Sequence, residues 1–213
     1  MFFILLKREF RLLYKKKTEL LQLLVFILLG LLIFPLAAGP ERALLTSAGR
    51  GYMWIIQLFM IFLSGKLFYE EDYRDGSLEQ LFLQIPALEM LIIAKYIAYS
   101  LNLILISLIS LPFLGLLFGI EPGTLLKTAA SLIIGIPCLA VIGGFGASLT
   151  LGSRKAGLIT PIILTPLYIP VLIFSVGSDN FWSDTTILAA LFLLIAPLSV
   201  FFSALALKIA IRE

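Results

Sequence analysis

The sequence predicts an all-α, polytopic integral membrane protein with six transmembrane helices, an N-terminal interfacial helix and a short cytoplasmic helix. Three observations carry that reading. The chain is 61% hydrophobic and 14% charged, with a mean hydropathy of +1.08, whereas soluble domains carry about 25% charged residues. Six apolar stretches reach the roughly 20 residues needed to cross about 30 Å of hydrocarbon. Between the second and third lies a polar segment holding six of the thirteen acidic residues: Glu70, Glu71, Asp72, Asp75, Glu79 and Glu89. Spans and short loops take up nearly all of residues 1–213, so the whole stretch reads as a single membrane domain.

Residues 2–17 come first. They set Phe3, Leu6, Phe10 and Leu13 at helical spacing among Lys7, Arg8, Arg11, Lys15, Lys16 and Lys17. This is the pattern of a helix lying on an anionic leaflet. A full-length span follows it instead of a small-residue cleavage site, so no signal peptide is expected. The spans fall near 19–38, 50–68, 90–118, 125–151, 157–177 and 186–210. The third and fourth are long enough to tilt or to extend past the bilayer. Pro112, Pro137 and Pro197, and the trio Pro161, Pro166 and Pro170, predict kinked helices whose freed carbonyls neighbours must satisfy. Packing is the plainer account of these prolines and a hinge the functional one. Gly143-Gly144-Phe145-Gly146-Ala147-Ser148 supplies small residues for close helix contact.

Six spans place both termini on one side, and charge decides which. The N-terminus, 66–95, 152–156 and the C-terminus hold thirteen of the sixteen Lys and Arg residues; the other side keeps Arg42, Arg50 and Lys127. By the positive-inside rule the termini and the acidic loop are cytoplasmic.

The loop at 69–89 has local structure of its own. Asp75-Gly76 is a turn signal, because glycine accepts positive φ. Ser77-x-x-Gln80 reads as a capping box in which the Ser hydroxyl takes the backbone N–H of Gln80. A helix then runs to about Gln84 and stops before Pro86. Leu78, Leu81, Phe82 and Ile85 mark its apolar face. The helix fits two roles. It can lie on the lipid surface, or it can be a rigid peg in a groove of a soluble motor subunit. Its acidic flank weakens the first, because anionic headgroups attract basic segments. The peg reading gives Glu70, Asp72, Asp75, Gly76, Ser77, Leu78, Glu79, Gln80 and Leu81 as candidate contacts for a coupling helix.

On the opposite side, Phe34, Pro35, Gly39, Pro40 and Glu41 form a second candidate motif. A proline-ended helix followed by a turn explains the prolines and the glycine. Phe34 and Glu41 are the residues it leaves over.

The remaining chemistry is mostly exclusion. The single cysteine, Cys138, leaves no internal disulfide and no cysteine metal cluster. There is no histidine, so the commonest metal and heme ligand and the usual neutral-pH proton shuttle are missing. No Gly-x-x-x-x-Gly-Lys-[Ser/Thr] phosphate loop occurs. No charge falls mid-span, where secondary transporters usually keep an ionisable group. Glu70 and Glu71 are expected to make contacts rather than do acid–base work. The spans therefore offer a pathway or platform whose energy comes from a partner.

Phe34-Pro-Leu-x-x-Gly-Pro-Glu41, Asp72-x-x-Asp75-Gly-Ser-Leu-Glu-Gln-Leu81, Lys95, Gly135-x-Pro137 and the proline-rich fifth span together resemble the heme exporter protein B (CcmB) family. That family supplies the permease subunit of the ABC-type complex of cytochrome c maturation. The likeness runs over almost the whole chain; Gln84-Ile85-Pro86, where Leu-Pro is expected, is a small departure. The resemblance implies a non-enzymatic permease with a separate ATPase subunit docked on the cytoplasmic loops, so that ATP acts only through that partner. It further implies heme as the substrate class, with no covalently bound cofactor and with iron ligands in a partner. Other implied partners are a second copy of the chain, heme-handling membrane proteins and a heme chaperone loaded at the periplasmic face. An ABC-2-like permease exporting a lipid or a drug is the alternative.

Overall fold

The computed structural model describes residues 1–39, 41–85, 87–153, 156–177 and 181–211. Among them are nine α-helices and no strand: α1 Phe2–Lys15, α2 Lys17–Ala38, α3 Arg42–Ser64, α4 Glu70–Arg74, α5 Ser77–Gln84, α6 Leu88–Phe118, α7 Pro122–Leu149, α8 Ala156–Val176 and α9 Phe181–Ala210. A 3₁₀ turn, Gly65–Leu67, joins α3 to the α4–α5 hairpin. Five helices (α2, α6, α7, most of α8 and α9) are long and apolar enough to cross a membrane. The chain is a multi-pass membrane protein.

α3 differs from expectation. It begins at Arg42, well before position 50, and runs for 23 residues. Arg42, Arg50 and Gln57 lower its apolar character, which is why it stands outside the five. The two arginines look like loop residues in sequence, yet both lie inside the helix. Tertiary contact explains this: Thr46 donates to the Phe118 carbonyl at the end of α6 (3.0 Å), and Gly49 packs against Phe118 and Ile120. The connection from α2 is consequently only residues 39–41, turned by Gly39 at φ 83°.

α7 is the centre of the bundle, packed against α6, α8 and α9. Its glycines admit bulky neighbours. A Cβ on Gly143 would lie 2.8 Å from Ile61 and 3.2 Å from the Tyr168 hydroxyl, and one on Gly144 would meet Tyr96 and Phe68. Small residues here do what lipid cannot, since hydrocarbon exerts no hydrophobic push between helices and close van der Waals packing must hold them. The helices continue through Pro112, Pro137 and Pro197 and through the α8 trio. α6, at 31 residues, is about 46 Å long. It exceeds the hydrocarbon thickness, so one end stands in the polar zone.

The bundle has two distinct ends. One gathers α1, the α4–α5 hairpin, the start of α6, the turn at 150–153 and the end of α9; this is the charged end. The far end holds an aromatic stack. Phe34 lies 4.4 Å from Tyr52 and 5.6 Å from Phe118, ring centre to ring centre. The Tyr52 hydroxyl donates to the Gly30 carbonyl (2.9 Å), tying α3 to α2.

Substituting Gly144 with Val is expected to lower the thermal unfolding midpoint in detergent strongly, by the overpacking cost of about 1–3 kcal/mol. Gly51→Ala, where a Cβ finds only Val176 at 4.0 Å, should stay within about 0.5 kcal/mol of wild type. Equal midpoints for the two variants would contradict the packing role of α7.

Candidate functional site

The charged end is built on residues that carry opposite charges out of reach of water. Glu9 of α1 and Lys95 of α6 are each 5% exposed, and Asp72 of α4 is 9% exposed. The Lys95 ammonium donates to Glu9 at 3.0 Å and to Asp72. Arg8 closes the set, bonding Glu9 at 2.5 Å and Asp72 at 3.4 Å. Two cations and two carboxylates make the cluster neutral. A lone buried charge would cost several kcal/mol, so each of the four depends on the others. Burial alone would raise the Asp72 carboxyl; the Lys95 ammonium outweighs it, helped by Arg8 and the Ser77 hydroxyl, and holds it below the usual carboxylate range.

The network fixes α1 in a way its amphipathic pattern does not suggest. Leu5, Glu9 and Leu13, four residues apart, are its buried stripe, and they face the bundle. Phe3, Ile4, Phe10 and Tyr14 face outward. Phe3 and Phe10 remain available to lipid as predicted, whereas Leu13 is turned inward. A further pair, Lys16 with Glu71 at 2.5 Å, joins the α1–α2 junction to α4. Glu70 pairs with Arg74 at 2.5 Å. Glu70 and Glu71 thus make contacts, as their setting implied.

The hairpin turns where Asp75-Gly76 predicts, with Gly76 at φ 73°. The capping box does not form. Gly76 is the cap residue of α5 and Ser77 its first helical residue, so the Ser77 side chain is one position too late to cap. Instead the Asp75 carboxylate accepts the Ser77 N–H at 2.9 Å, and the Ser77 hydroxyl donates to the Asp72 carboxylate at 3.1 Å. Ser77 therefore belongs to the buried network. Leu78 is fully buried and Ile85 nearly so, with Leu81 and Phe82 half-buried, which bears out the predicted inner face. Glu79, Gln80, Leu83 and Gln84 point away, Leu83 being 85% exposed. Of the candidate contacts, Asp72 and Leu78 face inward and hold the hairpin; Glu79 and Gln80 stand on its free face.

At the far end the second motif separates. Phe34 is taken up by the aromatic stack. Pro35 lies within the last turn of α2, and Glu41 is exposed at the start of α3 without capping it. Pro40 lies outside the described residues.

Sequence reasoning missed Glu9, and it left Lys95 as a motif residue without a role. It also missed the tyrosine layer beneath the network. Tyr96 bonds Ser199 (3.1 Å) and Ser203 (2.8 Å), Tyr99 bonds Ser64, and Lys95 stands 5.8 Å over the Tyr69 ring. An acidic residue on an otherwise basic helix, with a lysine inside an apolar one, was the available signal.

This fold, with an anchored polar hairpin at one end of an apolar helical bundle, is that of a polytopic membrane protein. Comparison with known proteins narrows it. The family described as CcmB protein matches residues 1–210. Heme exporter protein B of Pseudomonas aeruginosa is 37% identical over 177 residues, covering 83% of this chain and 79% of the relative. That of Haemophilus influenzae is 35% identical, with 99% and 98% covered, and that of Escherichia coli K12 is 33% identical over the full length of both. The chain belongs to the CcmB family.

Lys95→Met should cost about 3–5 kcal/mol, because it leaves two buried carboxylates with only the partly exposed Arg8 as counter-charge; Arg74→Ala, which breaks an exposed pair, should cost under about 1 kcal/mol. Chemical unfolding of both variants in detergent checks this. Because the Asp72 carboxyl is held low, its contribution is complete above the ordinary aspartate range and is lost as pH falls through its folded-state value. Wild type should therefore lose stability on acidification below about pH 4, and Asp72→Asn should lose less over the same interval.

Proposed function

We propose that this chain is the permease subunit of an ABC-type exporter of the cytochrome c maturation pathway, coupling ATP hydrolysis in a separate subunit to heme export or release of heme-loaded chaperone. Family membership and the relatives' name, heme exporter protein B, supply the substrate class. The observation that carries the coupling role is the hairpin itself. Its inner face is locked by Leu78, Ile85 and the buried charge network, while Glu79, Gln80, Leu83 and Gln84 stand free. A surface helix merely resting on lipid needs no such anchorage. A peg that transmits force does, since a push on α5 must reach α6 without being absorbed by the loop.

In this reading the charged end is cytoplasmic, as the excess of Lys and Arg there favours. α3 serves as the sixth span, its arginines reaching toward the periplasmic boundary as long basic side chains do. Both termini are then cytoplasmic, in a bacterial inner membrane. Two copies of the chain pair with two ATPase subunits. Heme-handling partners bind from the periplasmic side, where Glu41 is exposed. The chain performs no hydrolysis itself and holds no resident cofactor.

Glu79→Lys should abolish recovery of the ATPase subunit with the tagged permease while the thermal midpoint of the bundle stays unchanged. Wild-type recovery would remove the coupling proposal. Glu41→Ala should leave assembly and basal ATP hydrolysis intact while c-type cytochrome levels fall; normal levels would reduce the far-end motif to a helix stop.

A further inference from the structure

A cavity of about 560 Å³ opens at the charged end between α3, α4, α7 and α8. That volume lies within the roughly 300–1,000 Å³ of small-molecule sites. Its mouth is polar, formed by Glu70, Arg74 and Ser153. Its walls are apolar, with Phe62 and Leu151 among them, and Gly143 and Ala147 leave the room. Gly152, at φ 79°, lets the 150–153 turn pass close under Tyr73.

On the cavity wall stands Tyr168, with 0% of its surface exposed and its hydroxyl lacking any hydrogen-bond partner among the described residues. A buried hydroxyl without a partner is costly and uncommon. The Tyr69 and Ser175 hydroxyls share this condition away from the cavity lining, whereas the hydroxyls nearest the cavity are paired. Thr150 and Thr160 bond each other at 2.8 Å, and Tyr96 and Tyr99 are satisfied by serines. Tyr168 lies about 18 Å along α8 from its first residue, at the inner end of the cavity, while Arg74 stands at the mouth. Arg74 has one donor engaged by Glu70 in an exposed i,i+4 pair. Such a pair releases its partner at little cost, and the planar guanidinium suits bidentate binding of a carboxylate or phosphate.

We infer that this cavity is a binding site for an amphipathic anion, its acidic head on Arg74, its apolar body between α3 and α8, and a polar atom of the ligand meeting the Tyr168 hydroxyl. Two sources share that chemistry: a planar dicarboxylate macrocycle and an anionic phospholipid. The site deepens the permease reading by giving it an access point beside the α4–α5 hairpin. It rests on that reading for the ligand's purpose, but not for the binding itself.

The test is a titration of the purified chain with protoporphyrin IX, whose metal-free ring removes axial ligation, read by quenching of intrinsic fluorescence in phosphatidylcholine nanodiscs. Binding should saturate. Arg74→Gln should weaken it about tenfold, as expected for a lost charge-assisted hydrogen bond, and Ala147→Leu should weaken it by filling the space. Tyr168→Phe, which removes one oxygen and leaves the packing, should weaken it several-fold with an unchanged thermal midpoint. A second arm repeats the titration in phosphatidylglycerol nanodiscs: weaker apparent binding there in wild type, with no such change in Ala147→Leu, assigns the site to the lipid. Unsaturable binding in both lipids, or equal affinity in all three variants, overturns the site. ATPase-subunit recovery with Glu79→Lys is an independent readout, so loss of one proposal is not confused with loss of the other.

Discussion

The structure depends on four charges kept together at one end of an apolar bundle. Glu9, Asp72, Arg8 and Lys95 come from α1, α4 and α6, and no one of them is stable there without the others. Because the cluster is neutral and well bonded, its value lies less in net energy than in uniqueness of arrangement: removing a single member leaves a stranded charge, while the complete set fits one geometry. α1, which its pattern alone would leave floating on lipid, becomes a strap across the start of α6. α4, five residues long and too short to be stable alone, becomes a fixed support for α5.

Everything at that end follows from this fixation. With Asp72 held, Ser77 bonds it and α5 starts where Gly76 turns the chain. With Leu78 and Ile85 buried beneath, the polar face of α5 is presented in one orientation. On the other side of α4, the same support sets Glu70, Tyr73 and Arg74 over the cavity leading toward Tyr168. The hairpin proposed to meet a soluble partner and the cavity proposed to hold a ligand thus share α4 as a common support. Movement of the hairpin would necessarily change the cavity mouth.

Much of the architecture was readable because membrane thickness imposes length and the hydrocarbon imposes composition. The spans at α2, α6, α7, α8 and α9 are legible for that reason. So is the inner face of α5, where helical periodicity over Leu78, Leu81, Phe82 and Ile85 is a local property. The cap of α5 was misassigned because Ser77-x-x-Gln80 and Asp75-Gly76 are competing local signals, and the left-handed glycine won by one residue. The start of α3 was missed because Arg42 and Arg50 look like loop residues until the end of α6 is seen packing against Thr46 and Gly49 between them. The buried network was hardest to see. Glu9 and Lys95 are 86 positions apart, and no periodicity links them. Phe34, named in sequence only as a residue of the far-end motif, packs on Tyr52 and Phe118, contacts that no local pattern reveals.

The claim that strap, hairpin and α6 form one rigid unit is tested most directly by pulsed dipolar spectroscopy between spin labels at Tyr14 and Leu83, both outward-facing, in the chain with Cys138 replaced. The account predicts one narrow distance distribution, retained when the ATPase subunit binds and when ATP is added, and broadened by Lys95→Met. A broad or two-component distribution in the otherwise unsubstituted chain, or one indifferent to Lys95→Met, would contradict it.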